Sequence, residues 1–444
     1  MLQTKRLKII RILTVITAGI LMLVPFHAFF TTWFASTTGH YTIWRLWDEG
    51  LLVIGIGLVA WILYQQRRLW QAFRNQRLLW LIGGYILLEI LMGLLAFMKQ
   101  EVNFKALGYG LIVNLRFLLF FVVCLVVAAQ SGWIKQHWQK LLLVPAVIVV
   151  AFGLLQHFVL PYDFLRHFGY SLSTIPPYET INQNLHYIRV ISTLRGANPL
   201  GAYLIIVVSA LSVMIVKQKN NHWRLAYSIL LIGSLITLFY SYSRGAWVGA
   251  GLSIVLVLAS NIKRPQKLRW LAAGLGMVII IIGLSLFMLR HTSQLQDTIF
   301  HTDRSHSAPT TSNEGHASGL KNGLHDVLHQ PLGRGPGTAG PASVYNNHPA
   351  RIAENYFVQV AQEVGWLGLI LFILINWLVA KNLWLERHDP LALTLLAALI
   401  GITFVNLLSH AWVDDTLSYL WWGLAGVALA HIIAREGESK SHVL

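Results

Sequence analysis

The sequence has one cysteine and few charged residues, and each scarcity excludes a class of protein. Cys124 lies inside an apolar run, so the chain forms no internal disulfide, and no zinc-type spacing of cysteine and histidine is present. Only 12% of the 444 residues are charged and 55% are hydrophobic, whereas soluble domains carry roughly a quarter charged residues. The basic residues fall in short clusters between apolar runs, which gives no indication of a nucleic-acid partner. The composition therefore indicates an integral membrane protein embedded in a lipid bilayer.

Long apolar runs make up most of the chain. A membrane-spanning helix needs about 20 mainly apolar residues. Twelve candidate spans have this pattern, at residues 9–31, 49–64, 78–98, 107–129, 141–160, 198–216, 225–242, 245–260, 270–289, 355–380, 391–409 and 412–433. Basic residues precede the first run, but no small-x-small cleavage site follows it, so we expect an uncleaved anchor. We therefore predict an all-α polytopic membrane protein with about 12 transmembrane helices and one large extracytoplasmic loop that contains short helices.

The distribution of lysine and arginine predicts the orientation. Basic segments alternate with segments of mixed sign, and placing the basic segments inside leaves both termini in the cytoplasm. Transmembrane helices 1–9 then occupy residues 1–289, the large extracytoplasmic loop 290–354, transmembrane helices 10–12 residues 355–434, and a cytoplasmic tail 435–444. The sequence shows no internal repeat and no paired broken helices of the kind that inverted-repeat transporters have.

The large loop is the only long hydrophilic stretch. Its titratable residues include His291, His301, Arg304, His306, His316, Asp326, Arg334, His348, Arg351 and Glu354. The segment 316–330 has leucines four residues apart, which predicts an amphipathic helix with an apolar face formed by Leu320, Leu324, Val327 and Leu328. His325 and His329 are spaced as zinc ligands can be, but no third ligand has clear spacing, so we expect no metal. The following PLGRGPGTAGP (331–341) predicts a sharp turn.

Three arginines lie within or beside the predicted spans, where a charge costs at least about 2–3 kcal/mol to insert. Arg244, in SYSRGAWVGAG, fits either a clamp for phosphate oxygens or an interfacial arginine that reaches the headgroups. Arg195, in STLRGANPLGAYL, precedes a span for which Asn198 is the predicted N-cap, and it fits a ligand role and a structural role equally. Arg116 is deeper. We expect it to form a buried ion pair with Glu89 or to face a headgroup pocket.

Acid and base groups also lie near the predicted outer boundary. Glu354 directly precedes the tenth span, where desolvation raises the pKa of a carboxyl group and suits a general base or acid. A charge that complements the helix dipole explains it equally well. His348 suits the same chemistry. His410, Asp414 and Asp415 form the last outer turn, and either border the same cavity or serve as ordinary turn residues.

Four segments, taken in their order, resemble the O-antigen ligase and O-antigen polymerase family of polytopic membrane glycosyltransferases. They are LRGANPLGAYL, SRGAWVGAG, GLHDVLHQPLGRGPGTAG and ENYFVQVAQEVGWLGL, and the resemblance covers roughly residues 190–410. It implies a helical fold with a cavity open outward and toward lipid, an undecaprenyl-diphosphate-linked glycan as donor, and a glycan or glycolipid as acceptor. The implied reaction is metal-independent and inverting, needs no cofactor, and releases the lipid diphosphate at the outer face of the bacterial plasma (inner) membrane.

By this resemblance Arg244 is the arginine of the family's SRG motif. Two positions depart from the family pattern. His316 stands where an arginine is common, and Glu354-Asn355 stands where His-Asn is common. The predicted bases are therefore Glu354 and His348. The predicted diphosphate ligands are Arg244, Arg195, His316 and Arg334, and the predicted supporting residues are Asn355, Arg116 and His410.

Two other classes of protein fit parts of the pattern. Twelve spans are common in transporters, but a transporter needs ionisable residues or broken helices near the midplane, and only Arg116 and Glu89 are candidates for that depth. A polytopic protein whose loop only binds or scaffolds is the second alternative. The sequence does not distinguish ligase from polymerase, and it identifies neither the sugar nor the acceptor.

Overall fold

The computed structural model describes residues 2–292, 295–300 and 312–434. In chain order the α-helices are α1 Leu2–Leu23, α2 His27–Thr38, α3 Tyr41–Arg45, α4 Trp47–Gln65, α5 Arg67–Arg74, α6 Arg77–Met98, α7 Phe104–Gln130, α8 Trp133–Phe158, α9 Ala197–Lys217, α10 Asn221–Tyr240, α11 Arg244–Asn261, α12 Pro265–Leu289, α13 Ser312–His329, α14 Tyr356–Leu385, α15 Pro390–Asn406 and α16 Asp415–Ala428. Of the titratable residues predicted in the large loop, His301, Arg304 and His306 lie outside the described residues, as does the predicted cytoplasmic tail.

The predicted class, an all-α polytopic membrane protein, is confirmed. Across the described ranges, ten helices are long and apolar enough to cross a membrane. The helix Pro390–Asn406 is apolar but shorter, with 17 residues, and the predicted span 270–289 coincides with the 25-residue α12. The count of twelve spans stays a prediction.

Short polar side chains start several of the helices, as capping chemistry requires. The side chain of Asn103 accepts a hydrogen bond from the Ala106 N–H at the start of α7, and Asp389 does the same for Leu391 at the start of α15. The first predicted span is a nearly continuous pair, α1 and α2. They meet at a 3-10 turn that contains Pro25, a residue without the N–H of a regular helix.

The tenth predicted span is broken, contrary to the continuous helix expected from sequence. Within α14, Val364 and Gly365 have non-helical backbone angles, with φ +69° at Gly365. The glycine-rich turn 331–341 fills the break. Its Gly335 N–H donates to the Glu363 carbonyl at 2.7 Å, and the Trp366 N–H donates to the Pro331 carbonyl at 3.0 Å. The turn thus satisfies backbone groups that the break frees inside the membrane protein.

A small β-hairpin in the connection between α8 and α9 was not predicted. Strand β1 (Glu179–Ile181) pairs antiparallel with β2 (Asn184–Arg189), with Glu179 opposite Arg189. Asn182 and Gln183 at the turn have φ of 48° and 64°, the left-handed values that a tight hairpin turn requires.

The loops between the helices form two groups on opposite sides of the molecule, and loops of the same group contact one another. Segments predicted to be cytoplasmic contact one another, as where Lys135 pairs with Asp389 at 3.1 Å. Segments predicted to be extracytoplasmic do the same, and the Asn103 side chain donates to the Tyr345 carbonyl at 2.7 Å. We call the second side the outer side; its assignment rests on the predicted lysine and arginine bias.

Close helix packing positions the outer ends of α9, α11 and α15. A Cβ on Gly249 of α11 would lie 2.7 Å from the carbonyl oxygen of Gly401 on α15, and Ser253 donates to the Ala397 carbonyl at 2.8 Å. Small residues that let backbones approach are typical of packed membrane helices. The SRGAWVGAG segment therefore fixes the start of α11, and Arg244 with it, against α15.

Candidate functional site

A cavity of about 590 Å³ lies on the outer side, between the β-hairpin, the start of α11, the loop helix α13 and the end of α15. Its polar wall is formed by Asn182, Arg189, Asn198, Arg244, Asn313, His316 and Glu354. Its apolar wall includes Val248, Leu407 and Leu408, and these three side chains are also exposed on the surface of the helices. One wall of the cavity is therefore polar and charged, and the other is apolar.

Arg244 is the first residue of α11 and connects the helix to the large loop. One guanidinium nitrogen donates to the Ile299 carbonyl at 2.8 Å, and the other donates to the Asn313 side-chain oxygen at 2.8 Å. Tyr242, two residues earlier, has a left-handed backbone with φ 51°. The turn before α11 is thus bent so that Arg244 begins the helix at the cavity wall.

Arg189 is a second cationic group on this cavity, and sequence reasoning missed it. It lies at the end of β2, where its guanidinium donates to the Ser241 carbonyl at 2.9 Å and to the Asn198 side chain at 2.7 Å, and pairs with Glu179 at 3.4 Å. Burial lowers the pKa of the Arg189 guanidinium, against the opposing effect of Glu179. The sequence feature that indicates this hairpin is the stretch NQNLHYIRV, in which an asparagine-led turn is followed by aromatic and β-branched residues.

His316 and Glu354 form a pair on the cavity wall, with 3.4 Å between the imidazole Nδ1 and a carboxylate oxygen. The pair depends on the packing of α13 against the start of α14, where Val327 and Ala353 are buried. Two residues of the predicted apolar face of α13, Leu324 and Leu328, are exposed. The helix packs Leu320 and Val327 against α14 instead.

Backbone strain concentrates around the cavity. In the described part of the chain, six non-glycine residues have positive φ, and three of them, Asn182, Tyr242 and Glu354, line this cavity. Left-handed conformations cost about 1–3 kcal/mol each and cluster at functional sites. At Glu354 the strain is held by its neighbour Asn355, whose side chain accepts from the Val358 N–H at 3.1 Å and donates to the Leu407 carbonyl at 3.0 Å. Asn355 thus stabilises the backbone beside Glu354, and its predicted role in the site stays a prediction.

The structure brings together Arg244, His316 and Glu354 and places three other predicted residues elsewhere. Arg334 forms an ion pair with Glu101, and this guanidinium lowers the pKa of the Glu101 carboxyl. Arg334 lines a different cavity, of about 240 Å³. His348 is exposed and its ring nitrogen lies 3.3 Å from the Gln100 carbonyl oxygen.

Arg195 lines a neighbouring cavity rather than the first one. Its guanidinium lies 3.8 Å from the Asp414 carboxylate, and although desolvation lowers its pKa, the nearby carboxylates raise the pKa above its usual value. The predicted N-cap of α9 is wrong. Gly196 holds that position, and Asn198, inside the first turn, accepts from Arg189 instead.

The expected pairing of Arg116 with Glu89 is also wrong. Arg116 is 5% exposed and pairs with Glu49 at 2.8 Å and with Asp415, while it donates to the Val413 carbonyl at 2.7 Å. A buried ion pair was expected, but its partners come from α4 and α16. This arrangement gives Arg116 a structural position that joins three helices.

Glu89 instead faces another buried carboxylate. The side-chain amide of Asn114 donates to Glu363 at 2.8 Å and lies 3.3 Å from Glu89. Glu363 also accepts the Gly337 N–H at 2.7 Å. These contacts hold the glycine-rich turn against α7 and α14.

His410 lies beside the first cavity, next to its wall residue Ser409. Burial, together with the nearby His316, lowers the pKa of His410 to about 4. An imidazole with so low a pKa is neutral at pH 7. Within the described ranges, no three histidine, cysteine or acidic side chains are grouped as ligands for a metal ion.

The fold and this cavity define a multi-pass membrane protein with a charged cavity between the outer ends of its helices. Residues 229–373 match the family model described as O-antigen ligase. This part of the chain is thus similar to the O-antigen ligase family, and the resemblance drawn from the sequence is confirmed. The matched range contains Arg244, His316 and Glu354 and ends before α15, while Arg189 lies outside it. No curated protein matches the chain.

Proposed function

We propose that the protein transfers a glycan from a lipid diphosphate, undecaprenyl diphosphate by the family resemblance, to a hydroxyl group of an acceptor sugar. The single observation that carries this proposal is the cavity in which Arg189 and Arg244 lie with the His316–Glu354 pair. The reaction takes place at the outer face of the bacterial plasma membrane. The family match supports a glycan-transferring enzyme.

The arginines fit the leaving group. A diphosphate carries several negative charges, and guanidinium groups bind phosphate oxygens through paired hydrogen bonds without losing their own charge. Arg189 and Arg244 approach the cavity from different segments, the hairpin and α11, and so can bind two sides of one diphosphate. Fixed cations in a site with little water stabilise the charge that develops as the leaving group departs.

The exposed apolar residues fit the lipid. Val248, Leu407 and Leu408 form part of the cavity wall and also face outward from α11 and the end of α15. A lipid chain lying along this surface keeps its apolar part in the bilayer while its diphosphate reaches the arginines. The cavity therefore fits an amphiphilic donor better than a soluble sugar nucleotide.

The His316–Glu354 pair fits the proton transfer. Glu354 accepts the proton of the acceptor hydroxyl as the oxygen attacks the anomeric carbon. The bond between that carbon and the diphosphate oxygen breaks, and the lipid diphosphate leaves with its electron pair. Attack from the opposite face inverts the anomeric configuration. His316, 3.4 Å away, holds the carboxylate in place and, when protonated, adds positive charge near the diphosphate.

The experiment uses purified protein in lipid nanodiscs with an undecaprenyl-diphosphate oligosaccharide and excess chelator. Release of lipid diphosphate and the size of the glycan products are followed for wild type and Arg244→Gln. A chelator-resistant ladder of products indicates a polymerase, and one discrete product that needs an added acceptor indicates a ligase. Folded wild-type protein that turns over no donor contradicts the proposal.

A transporter is the second candidate, favoured by the broken helix α14 beside the buried carboxylates Glu89 and Glu363. Broken helices next to ionisable groups are typical of transport sites. Here the glycine-rich turn occupies the break and forms hydrogen bonds with the backbone groups of α14 at the break. This arrangement favours a structural role for the break. Movement of intact lipid-linked glycan across a vesicle membrane without glycan transfer would support the transporter.

A further inference from the structure

A second cavity, of about 440 Å³, adjoins the first on the outer side. Both cavities use the connection between α8 and α9, since Thr174, before the hairpin, lines the second cavity and Thr180, in β1, lines the first. At the start of α9, Arg195 lines the second cavity and Asn198 the first. Three residues of chain span at most about 10 Å, so the walls of the two cavities are neighbours at the start of α9.

The second cavity has a tyrosine wall. Tyr41, Tyr109 and Tyr345 are half-buried and line it together. The rings of Tyr109 and Tyr345 lie edge to face with their centres 5.2 Å apart. Arg45 donates to the Tyr109 hydroxyl at 2.6 Å, and its guanidinium lies 4.8 Å from the centre of that ring. These contacts fix the aromatic surface before any ligand binds.

The charges in the two cavities differ. The wall of the second cavity has two arginines, Arg45 and Arg195, two carboxylates, Asp414 and Asp415, and the imidazole of His27, and Asp415 also pairs with Arg116 behind the wall. The first has two arginines on its wall and the single carboxylate of Glu354. A balanced set of planar charged groups matches a neutral ligand with many hydroxyls, because each group forms paired hydrogen bonds while no net charge favours an anion. The wall of the first cavity favours a diphosphate more than that of the second, although Glu179 offsets part of the charge of Arg189.

We infer that the second cavity binds the acceptor saccharide, an inference that rests on the proposed function. The arginine and aspartate groups hydrogen-bond neighbouring hydroxyls of the sugar, and the tyrosine rings pack against its C–H faces. The sugar unit bound there extends its reacting hydroxyl into the first cavity, toward Glu354. The second cavity thus selects the acceptor, and the first performs the reaction.

The test compares wild type with Tyr109→Ala, Tyr109→Phe and Arg45→Gln. Tyr109→Phe keeps the ring and removes only the hydroxyl that accepts from Arg45. Tyr64→Ala and Arg166→Gln are matched controls, because both side chains are exposed outside the two cavities. The acceptor is the oligosaccharide released by mild acid from the lipid-linked glycan of cells that express the chain. Its KM, the inhibition constant of added lipid diphosphate, and direct binding by calorimetry are measured in nanodiscs.

We expect Tyr109→Ala and Arg45→Gln to raise the acceptor KM at least about fivefold, while the lipid diphosphate inhibition constant stays within about twofold of wild type. Tyr109→Phe should have a smaller effect, and the controls none. Wild-type turnover with an unchanged KM in both variants overturns the inference and leaves the proposed function intact. If wild type turns over no donor, the proposed function fails. Oligosaccharide binding that the variants lose would then still support the saccharide site, and no binding by wild type would overturn it.

Discussion

The imidazole of His316 lies 3.4 Å from the carboxylate of Glu354, although the two residues belong to the loop helix α13 and to the strained turn before α14. Both side chains face the cavity that Arg189 and Arg244 line. The cationic groups proposed to bind the leaving group and the base proposed to activate the nucleophile thereby lie in one cavity. The predictions below separate these roles from structural ones.

Removal of either cavity arginine should weaken the stabilisation of the diphosphate. We expect Arg189→Gln and Arg244→Gln each to lower kcat on the order of 10²-fold, by analogy with the loss of one donor from an oxyanion site. Because both act on the same group, the double variant should lose less than the product of the two effects. Turnover is measured as lipid diphosphate released. Arg166→Gln, an exposed arginine paired only locally with Asp163 at 3.3 Å, is the control and should be unaffected.

Glu354→Gln should abolish proton acceptance and lower kcat by roughly 10²–10⁴-fold, the usual contribution of a general base. His316→Arg places a fixed positive charge at this position, whereas His316→Gln removes the ionisable group. If His316 acts through its charge, the arginine variant retains turnover and the glutamine variant loses it. Full turnover in Glu354→Gln would contradict the assignment of the base. His348→Gln is the control, since its exposed ring lies outside the cavity.

Arg116 should be essential for folding. Its guanidinium is buried between Glu49 and Asp415, and breaking a buried ion pair typically costs about 3–5 kcal/mol because a charge remains without its partner. Arg116→Leu should therefore give little folded protein by size-exclusion chromatography. Adding Asp415→Asn should recover part of it. A folded but inactive Arg116→Leu protein would instead indicate a direct role in the reaction.

Gly337 should not tolerate a side chain. Its φ is +83°, and an added Cβ would collide with the Ala106 carbonyl oxygen on α7. Gly337→Ala should lose at least about 1–3 kcal/mol of stability from the left-handed conformation alone, and thermal unfolding in detergent measures the loss. Gly57→Ala is the matched control. Its Cβ would meet nothing within 4 Å, and in a helix alanine is favoured over glycine by up to about 1 kcal/mol. A stability of Gly337→Ala equal to wild type would contradict this packing.

His410 should make the protein less stable in mild acid. Burial lowers the pKa of His410 to about 4 from 6.5. Between these values the unfolded chain binds a proton that the folded chain does not, so the folded state loses stability as the pH falls from 6.5 to 4. His410→Gln should reduce this slope, measured as Tm at several pH values. His388→Gln, at an exposed position, should not change it. Equal slopes in wild type and His410→Gln would exclude this contribution.

The chain itself determined the membrane class, the positions of its helices and the turn at 331–341. Apolar runs long enough for a bilayer leave few alternatives to helices, and glycine and proline prevent a helix at the turn. The SRG segment and the resemblance that it carries also identified Arg244, and the polar boundary of the tenth span identified Glu354. All of these signals are local in sequence.

The tertiary structure decided which residues meet. Arg189 lies in a six-residue strand that no apolar periodicity reveals, and it shares a cavity with Arg244 because the end of the hairpin bonds to Tyr240 and Ser241, just before α11. Arg116 and Glu89 lie in adjacent helices but face different partners, since the rotation of each helix follows from packing. The break at Gly365 is set by the distant turn that enters it. Sequence determines how each segment folds, whereas the meeting of charged side chains from distant segments depends on how the helices pack.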